Sequence, residues 1–103
     1  MVKTIVKNLY ELVVILKSNL SNDDLEKNIV QYESAIKSYG GSVVRVEEPV
    51  RRKFTHKIKS FKEGFYVSIL FNSSPELPNT LKRILAIADD VLRYIIVGKE
   101  NLK

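Results

Sequence analysis

The chain has no cysteine, no tryptophan, one histidine, four glycines and three prolines in 103 residues. Without cysteine, disulfide frameworks, thiol catalysis, iron-sulfur clusters and cysteine-ligated zinc are excluded together, and the composition suits a reducing compartment. His56 alone cannot build a multi-histidine centre, so no metal site and no cofactor are expected. Little glycine and proline, with 45% hydrophobic and 28% charged residues, excludes disordered, collagenous and low-complexity classes. Long apolar runs are missing too. None exceeds five residues; Leu12 to Leu16, between Glu11 and Lys17, is too short for a membrane span or a secretory core. The start, Met1 to Lys7, is basic but lacks the Arg- and Ser-rich pattern of a transit peptide. The chain reads as soluble, with no membrane partner, and its length suits one domain over residues 1–103.

What the sequence does have is a local excess of positive charge. The net charge is +5, yet Pro49 to Lys62 holds six basic residues and no acidic one, leaving the remaining 89 residues at −1. Such a concentration is the footprint of phosphate contact, because each neutralised phosphate releases condensed counterions. A hairpin kept from edge-to-edge aggregation by Lys would carry the same pattern, and charge alone weighs the two equally.

Asn8 to Lys17, NLYELVVILK, is β-branched and aromatic, apolar on both faces, and reads as a central strand. Ser21 is the expected N-cap of a helix with acidic residues in its first turn, an apolar series Leu25, Ile29, Tyr32, Ile36, Tyr39, and Gly40-Gly41 as the stop. Ser42 to Ile58 is a long extended segment in which Pro49 implies an edge position or an interruption. Lys62-Glu63-Gly64 is read as a hairpin turn into a strand from Phe65 to Phe71, with Phe65, Val67, Ile69 and Phe71 on one face and Tyr66, Ser68 and Leu70 on the other. Ser74 with Pro75 opens a second helix striped by Leu77, Leu81, Ile84, Leu85 and Ala88; Asp89-Asp90 ends it, and Val91 to Val97 is the last strand before a polar tail, 98–103.

The order βαββαβ predicts an α+β, ferredoxin-like fold: a four-stranded antiparallel sheet with both helices on one face and the other face open. An open face with apolar and aromatic side chains calls for a partner. Catalysis finds no support. The pairs Asp23-Asp24, Glu47-Glu48 and Asp89-Asp90 sit at element boundaries where capping and turns explain them, and no phosphate loop, nucleophile elbow or metal-ligand spacing is present. Nor is there a small-molecule substrate to infer. Lys62 to Val67 matches the third-strand signature of RNA-recognition motifs only loosely, and Phe65 and Phe71 read as core rather than as base-stacking residues.

Tyr10-Glu11-Leu12-Val13-Val14-Ile15-Leu16 followed by Asn19-Leu20, Ser38-Tyr39-Gly40-Gly41 before Val46-Glu47-Glu48, Gly64-Phe65-Tyr66, and above all Asp89 to Val97 resemble, in order and spacing over nearly the whole chain, small ribosomal subunit protein six of the bacterial type. Where many members carry Gly-x-Lys/Arg-polar-Leu-Ala-Tyr-x-Ile, this chain has Val50 to Ile58, VRRKFTHKI, which keeps the basic character and Ile58. The resemblance implies a non-enzymatic ferredoxin-like structural constituent of the ribosome, in bacterial cytoplasm or plastid stroma. It also implies a heterodimer with small subunit protein eighteen that binds the central domain of small-subunit (16S-type) rRNA during assembly. The residues expected to contact RNA are Lys3, Lys7, Tyr10, Arg51, Arg52, Lys53, Lys57 and Arg93, and those expected to meet the protein partner are Phe54 and His56. Two other readings remain open: a ligand-sensing domain that dimerises through its sheet, and a stand-alone RNA-recognition-type protein for single strands.

Overall fold

The computed structural model describes residues 8–99. Strand β1, Asn8–Lys17, is followed by helix α1, Asn22–Ser38, then β2, Ser42–Val46, β3, Val50–Ile58, β4, Phe61–Ser73, helix α2, Leu77–Ala86, and β5, Val91–Lys99. The sheet is antiparallel in the order β2-β4-β1-β5, with β3 also paired to β4. β2 and β3 lie end to end along β4: Ser42 to Val46 faces Asn72 to Ile69, and Val50 to Lys53 faces Tyr66 to Glu63. The five strands therefore occupy four lanes. The expected single segment Ser42 to Ile58 is broken at residues 47–49, because Pro49 has no N–H to give to a ladder.

β1 forms where expected and lies between β4 and β5. Its even positions Leu12, Val14 and Leu16 pack with Val67, Ile69 and Phe71 of β4 against Leu25, Tyr32 and Ile36 of α1 and Leu77, Leu81 and Leu85 of α2. Both helices thus cover one sheet face. Ser21 caps α1 by accepting the Asp24 N–H at 3.2 Å. At the other end Gly40, with φ +83°, allows its own N–H to reach Lys37 C=O and that of Gly41 to reach Ile36 C=O, a Schellman closure. Tyr39, expected on the apolar stripe, is 58% exposed because the helix has ended there. Asn28 is buried instead. It donates to Asp24 C=O at 2.9 Å and to Asp90 Oδ2 at 3.1 Å, and accepts from the Tyr32 hydroxyl at 3.2 Å, so α1 is tied to the turn before β5. Burial, with Asp90 nearby, pushes the Tyr32 hydroxyl up and keeps it a donor.

Three further expectations are corrected. The hairpin turn is Lys59-Ser60, not Lys62 to Gly64; both turn residues have positive φ, as the two-residue loop whose twist matches its strands requires. Helix α2 begins at Leu77, with Pro78 in its first turn; Ser74 contributes its C=O to the Leu77 N–H, and among the described residues no side chain caps the helix. Finally, Gly98 and Lys99 belong to β5 rather than to a tail, held by pairing with Tyr10 and Leu9. Among the described residues no helix is long and apolar enough to cross a membrane.

Gly64 lies inside β4, where it is needed for close approach rather than for a turn. A Cβ there would stand 2.7 Å from Leu16 C=O and 2.8 Å from the Phe54 ring. The backbone carbonyl cannot move aside as a flexible side chain would. Gly64→Ala is expected to destabilise the fold by about 1–3 kcal/mol, the usual cost of overpacking, as a lower urea midpoint at unchanged m-value.

Candidate nucleic-acid interface

Because side chains alternate along a strand, the residues that do not face the helices face outward together. The register places Arg93, Ile15, Tyr66 and Val50 in one row across β5, β1, β4 and β3, then Ile95, Val13 and Ser68, then Val97, Glu11, Leu70 and Arg45. The middle of this open face is apolar. Ile95 is 56% exposed, Val50 47% and Val97 41%, and a dent of about 220 Å³ is lined by Val13, Ile15, Arg93, Tyr94 and Ile95. At one end Glu11 accepts a 2.8 Å hydrogen bond from the Ser68 hydroxyl and pairs with Lys99 at 3.0 Å. The Ser68 bond, with the Lys99 bond and the charges of Lys99 and Arg45, holds the Glu11 carboxyl below its ordinary value despite its desolvation.

β1 stops at Lys17, opposite Gly64, while β4 continues back to Phe61 and β3 runs on to Ile58. The two strands therefore leave the sheet as an arm, part of a molecule 55 Å long and 25 × 22 Å across. Between the pairs Lys53↔Glu63 and Ile58↔Phe61 β3 spends more residues than β4, so Phe54 to Lys57 bulge from the ladder. Phe54 turns back over Gly64, its ring 6.3 Å from Tyr66 in an edge-to-face pair. Lys53, Phe54, Thr55, Lys57, Lys62 and Glu63 line an open groove of about 430 Å³ on the arm.

The expected site residues divide by place. Arg52, Lys53 and Lys57 are exposed on β3, with the Arg52 guanidinium 5.7 Å from the Tyr66 ring centroid. Arg93 is exposed on the open face beside Ile15, and no ion pair to Asp89 or Asp90 is found among the described residues. Arg51 is also exposed, with about half its side chain accessible, but it is engaged with Ser18, Glu63 and Phe65. Tyr10 is half-buried toward the helices and stacks on Phe71, ring centroids 5.6 Å apart, so its ring is used in packing. Phe54 is half-buried and His56 exposed, both in the bulge. Lys3 and Lys7 lie outside the described residues. The Glu11, Ser68 and Lys99 cluster escaped the sequence reading because it joins three strands. Among the described residues no group of three or more His, Asp or Glu side chains is placed to hold a metal ion.

Residues 9–98 match the family model described as Ribosomal protein S6. The small ribosomal subunit protein bS6 of Heliobacterium modesticaldum is 33% identical over 92 residues, 89% of this chain and 96% of the relative. That of Clostridium beijerinckii is 36% identical over 91 residues, 88% and 96% of the two chains. The crystal structure of 30S ribosomal protein S6 from Thermotoga maritima superposes with a TM-score of 0.86 over 91% of this chain and 89% of that one, at 23% identity, which supports the ferredoxin-like fold.

The Glu11 cluster has a signed consequence. A carboxyl whose folded pKa lies below its unfolded value adds stability above the unfolded pKa and loses it as pH falls through the folded one. Glu11→Gln should therefore cost about 1 kcal/mol or less at pH 7, since Lys99 is half exposed, and the difference from the parent should shrink as pH drops below about 4. Urea unfolding of both chains at pH 7 and pH 3 measures it.

Proposed function

The chain belongs to the ribosomal protein S6 family, structural and non-enzymatic constituents of the small ribosomal subunit, and from that premise we propose that it binds the central domain of small-subunit rRNA jointly with small subunit protein eighteen during assembly. The observation that carries the reading is the juxtaposition of an arm bearing Lys53, Lys57, Lys59 and Lys62 with an uncovered sheet face that is apolar at its centre. The arm has the chemistry for phosphates, and the face has the chemistry for a protein.

On this reading Phe54, Tyr66, Val13, Ile15 and Ile95 meet the protein partner, with His56 at its margin. Arg52 and Arg93 sit where the apolar band ends and RNA begins. A stacking site for single-stranded bases fits less well, because Phe65 and Tyr10 are turned toward the helices and Phe71 is fully buried. That geometry also favours a structured RNA, whose backbone a basic arm follows without unstacking bases.

The test is binding of the full chain to a central-domain rRNA fragment, with and without protein eighteen, across a salt series. Tight, partner-dependent binding is expected, with log affinity falling linearly against log salt. The triple variant Arg52→Ala, Lys57→Ala, Arg93→Ala should reduce that slope by about two to three, roughly 0.7–0.9 per lost phosphate contact. No binding to a correctly folded fragment in the presence of the partner would overturn the proposal.

A further inference from the structure

Arg51 stands apart from the other cations of the basic segment in what holds it. Its Nη2 donates to Ser18 C=O at 3.1 Å, its Nη1 lies 3.2 Å from Glu63 Oε2, and its guanidinium carbon is 4.7 Å from the centroid of the Phe65 ring. Ser18 belongs to the turn that follows β1, whereas Glu63 and Phe65 flank Gly64, where β4 parts from β1. The side chain thus spans the root of the arm, joining it to the sheet on the helix side.

We propose that Arg51 is a positioning residue of the RNA interface: it braces the basic arm against the turn after β1, and so aims Lys53, Lys57, Lys59 and Lys62, without contacting RNA itself. This assignment rests on the RNA-binding reading above. Beyond Lys17 the arm is a two-stranded ribbon, and such ribbons are only marginally ordered without a third strand or a packed face. The bulge Phe54 to Lys57 removes ladder pairs from the arm, so its orientation rests on side-chain contacts with the body: Arg51 at the root, Lys17 Nζ 6.0 Å from the Phe61 ring centroid, and Lys59 beside Leu85 and Leu92 at the tip. An arm that swings must be ordered when it binds, and a brace moves that ordering cost into folding.

Guanidinium chemistry fits the task. A planar fork satisfies two acceptors in different directions while its face rests on an aromatic ring; a lysine ammonium cannot do all three. The same pair also neutralises Glu63, the first carboxylate after the run of cations from Arg51 to Lys62. Arg52, the adjacent residue, lies on the opposite face of β3 with its guanidinium over the Tyr66 ring, so two consecutive arginines have separate surroundings and separate tasks.

The decisive variant is Arg51→Met with Glu63→Gln, which removes the brace while leaving the net charge of the arm unchanged. Two readouts are taken on the full chain: hydrogen exchange of amides 52–63, and affinity for the central-domain rRNA fragment with protein eighteen across the same salt series. The double variant is expected to speed exchange across the arm, to weaken binding by about 5–10-fold, and to leave the salt slope at the parent value. Arg51→Lys, which keeps the charge and loses the fork, should show the same faster exchange. Lys57→Ala with Lys62→Ala should do the reverse, lowering the slope by about 1.5 at unchanged exchange of the root amides.

Unchanged exchange in both Arg51 variants would overturn the assignment, as would a slope lowered by about one in Arg51→Met/Glu63→Gln relative to Glu63→Gln alone, which would mark a direct phosphate contact. A parent chain that does not bind the fragment would overturn the underlying RNA reading and the assignment with it, while the exchange data alone would still report whether the arm is braced.

Discussion

Ten consecutive pairs join β1 to β4, from Asn8↔Ser73 to Lys17↔Gly64, and the side-chain period of two makes this register decide what every other element meets. Leu12, Val14 and Leu16 fall on the same side as Val67, Ile69 and Phe71, and the helices close over them. A slip of one residue would send those side chains to solvent and bring Glu11 and Tyr66 into the core. The ladder also sets where the sheet stops being a sheet. β1 ends against Gly64, and beyond it β3 and β4 pair only with each other.

One-sided coverage follows from that ladder and the short connections around it. Helix α1 is stopped by Gly40 and Gly41, and a Cβ at Gly41 would meet Asn72 C=O at 2.8 Å, so the chain enters β2 tightly against β4. Asn28 then links α1 to Asp90, which holds the start of β5 through its own C=O to the Lys17 N–H. Among the described residues no helix or strand covers the apolar residues of the other face. Their exposure is a cost in the free chain, and the proposed protein partner would offset it by covering them.

Much of this was legible in residue spacing. Strand β1, the cap of α1 and its glycine stop follow from local rules that tertiary structure has little reason to override, and Val91 to Val97 of the family pattern lies on β5 as a strand, with Asp89-Asp90 in the turn before it. The failures share a cause. Lys59-Ser60 is a turn because two strands of matching twist must be joined there, and nothing in Lys-Ser signals positive φ as Asn-Gly would. Gly64, the obvious turn residue, is spent on the approach of Leu16 C=O and Phe54, a contact between positions far apart in the chain. Arg51 and Arg52 look alike in sequence, and only the register puts one beside Ser18 and Glu63 and the other over Tyr66. Side-chain function at this interface is a long-range property, and local pattern cannot separate a tethered cation from a free one.

The two accounts of the basic segment, edge protection and phosphate contact, can be weighed by comparing the sheet's two edges. β5 is an edge strand of nine residues with no proline, and it exposes Ile95 and Val97 with charge only at Arg93 and Lys99, the latter paired to Glu11. If lysine were distributed to keep edges from pairing, β5 would need it most. The cations instead gather on β3 and the start of β4, where the proline break and the bulge already interrupt the ladder. Lys57, Lys59 and Lys62 lie in the part of the arm beyond β1, which has almost no regular edge left to defend. Charge placed where edge protection is least needed, beside an arginine tethered at the root of the arm, speaks for the proposed phosphate contact over solubility.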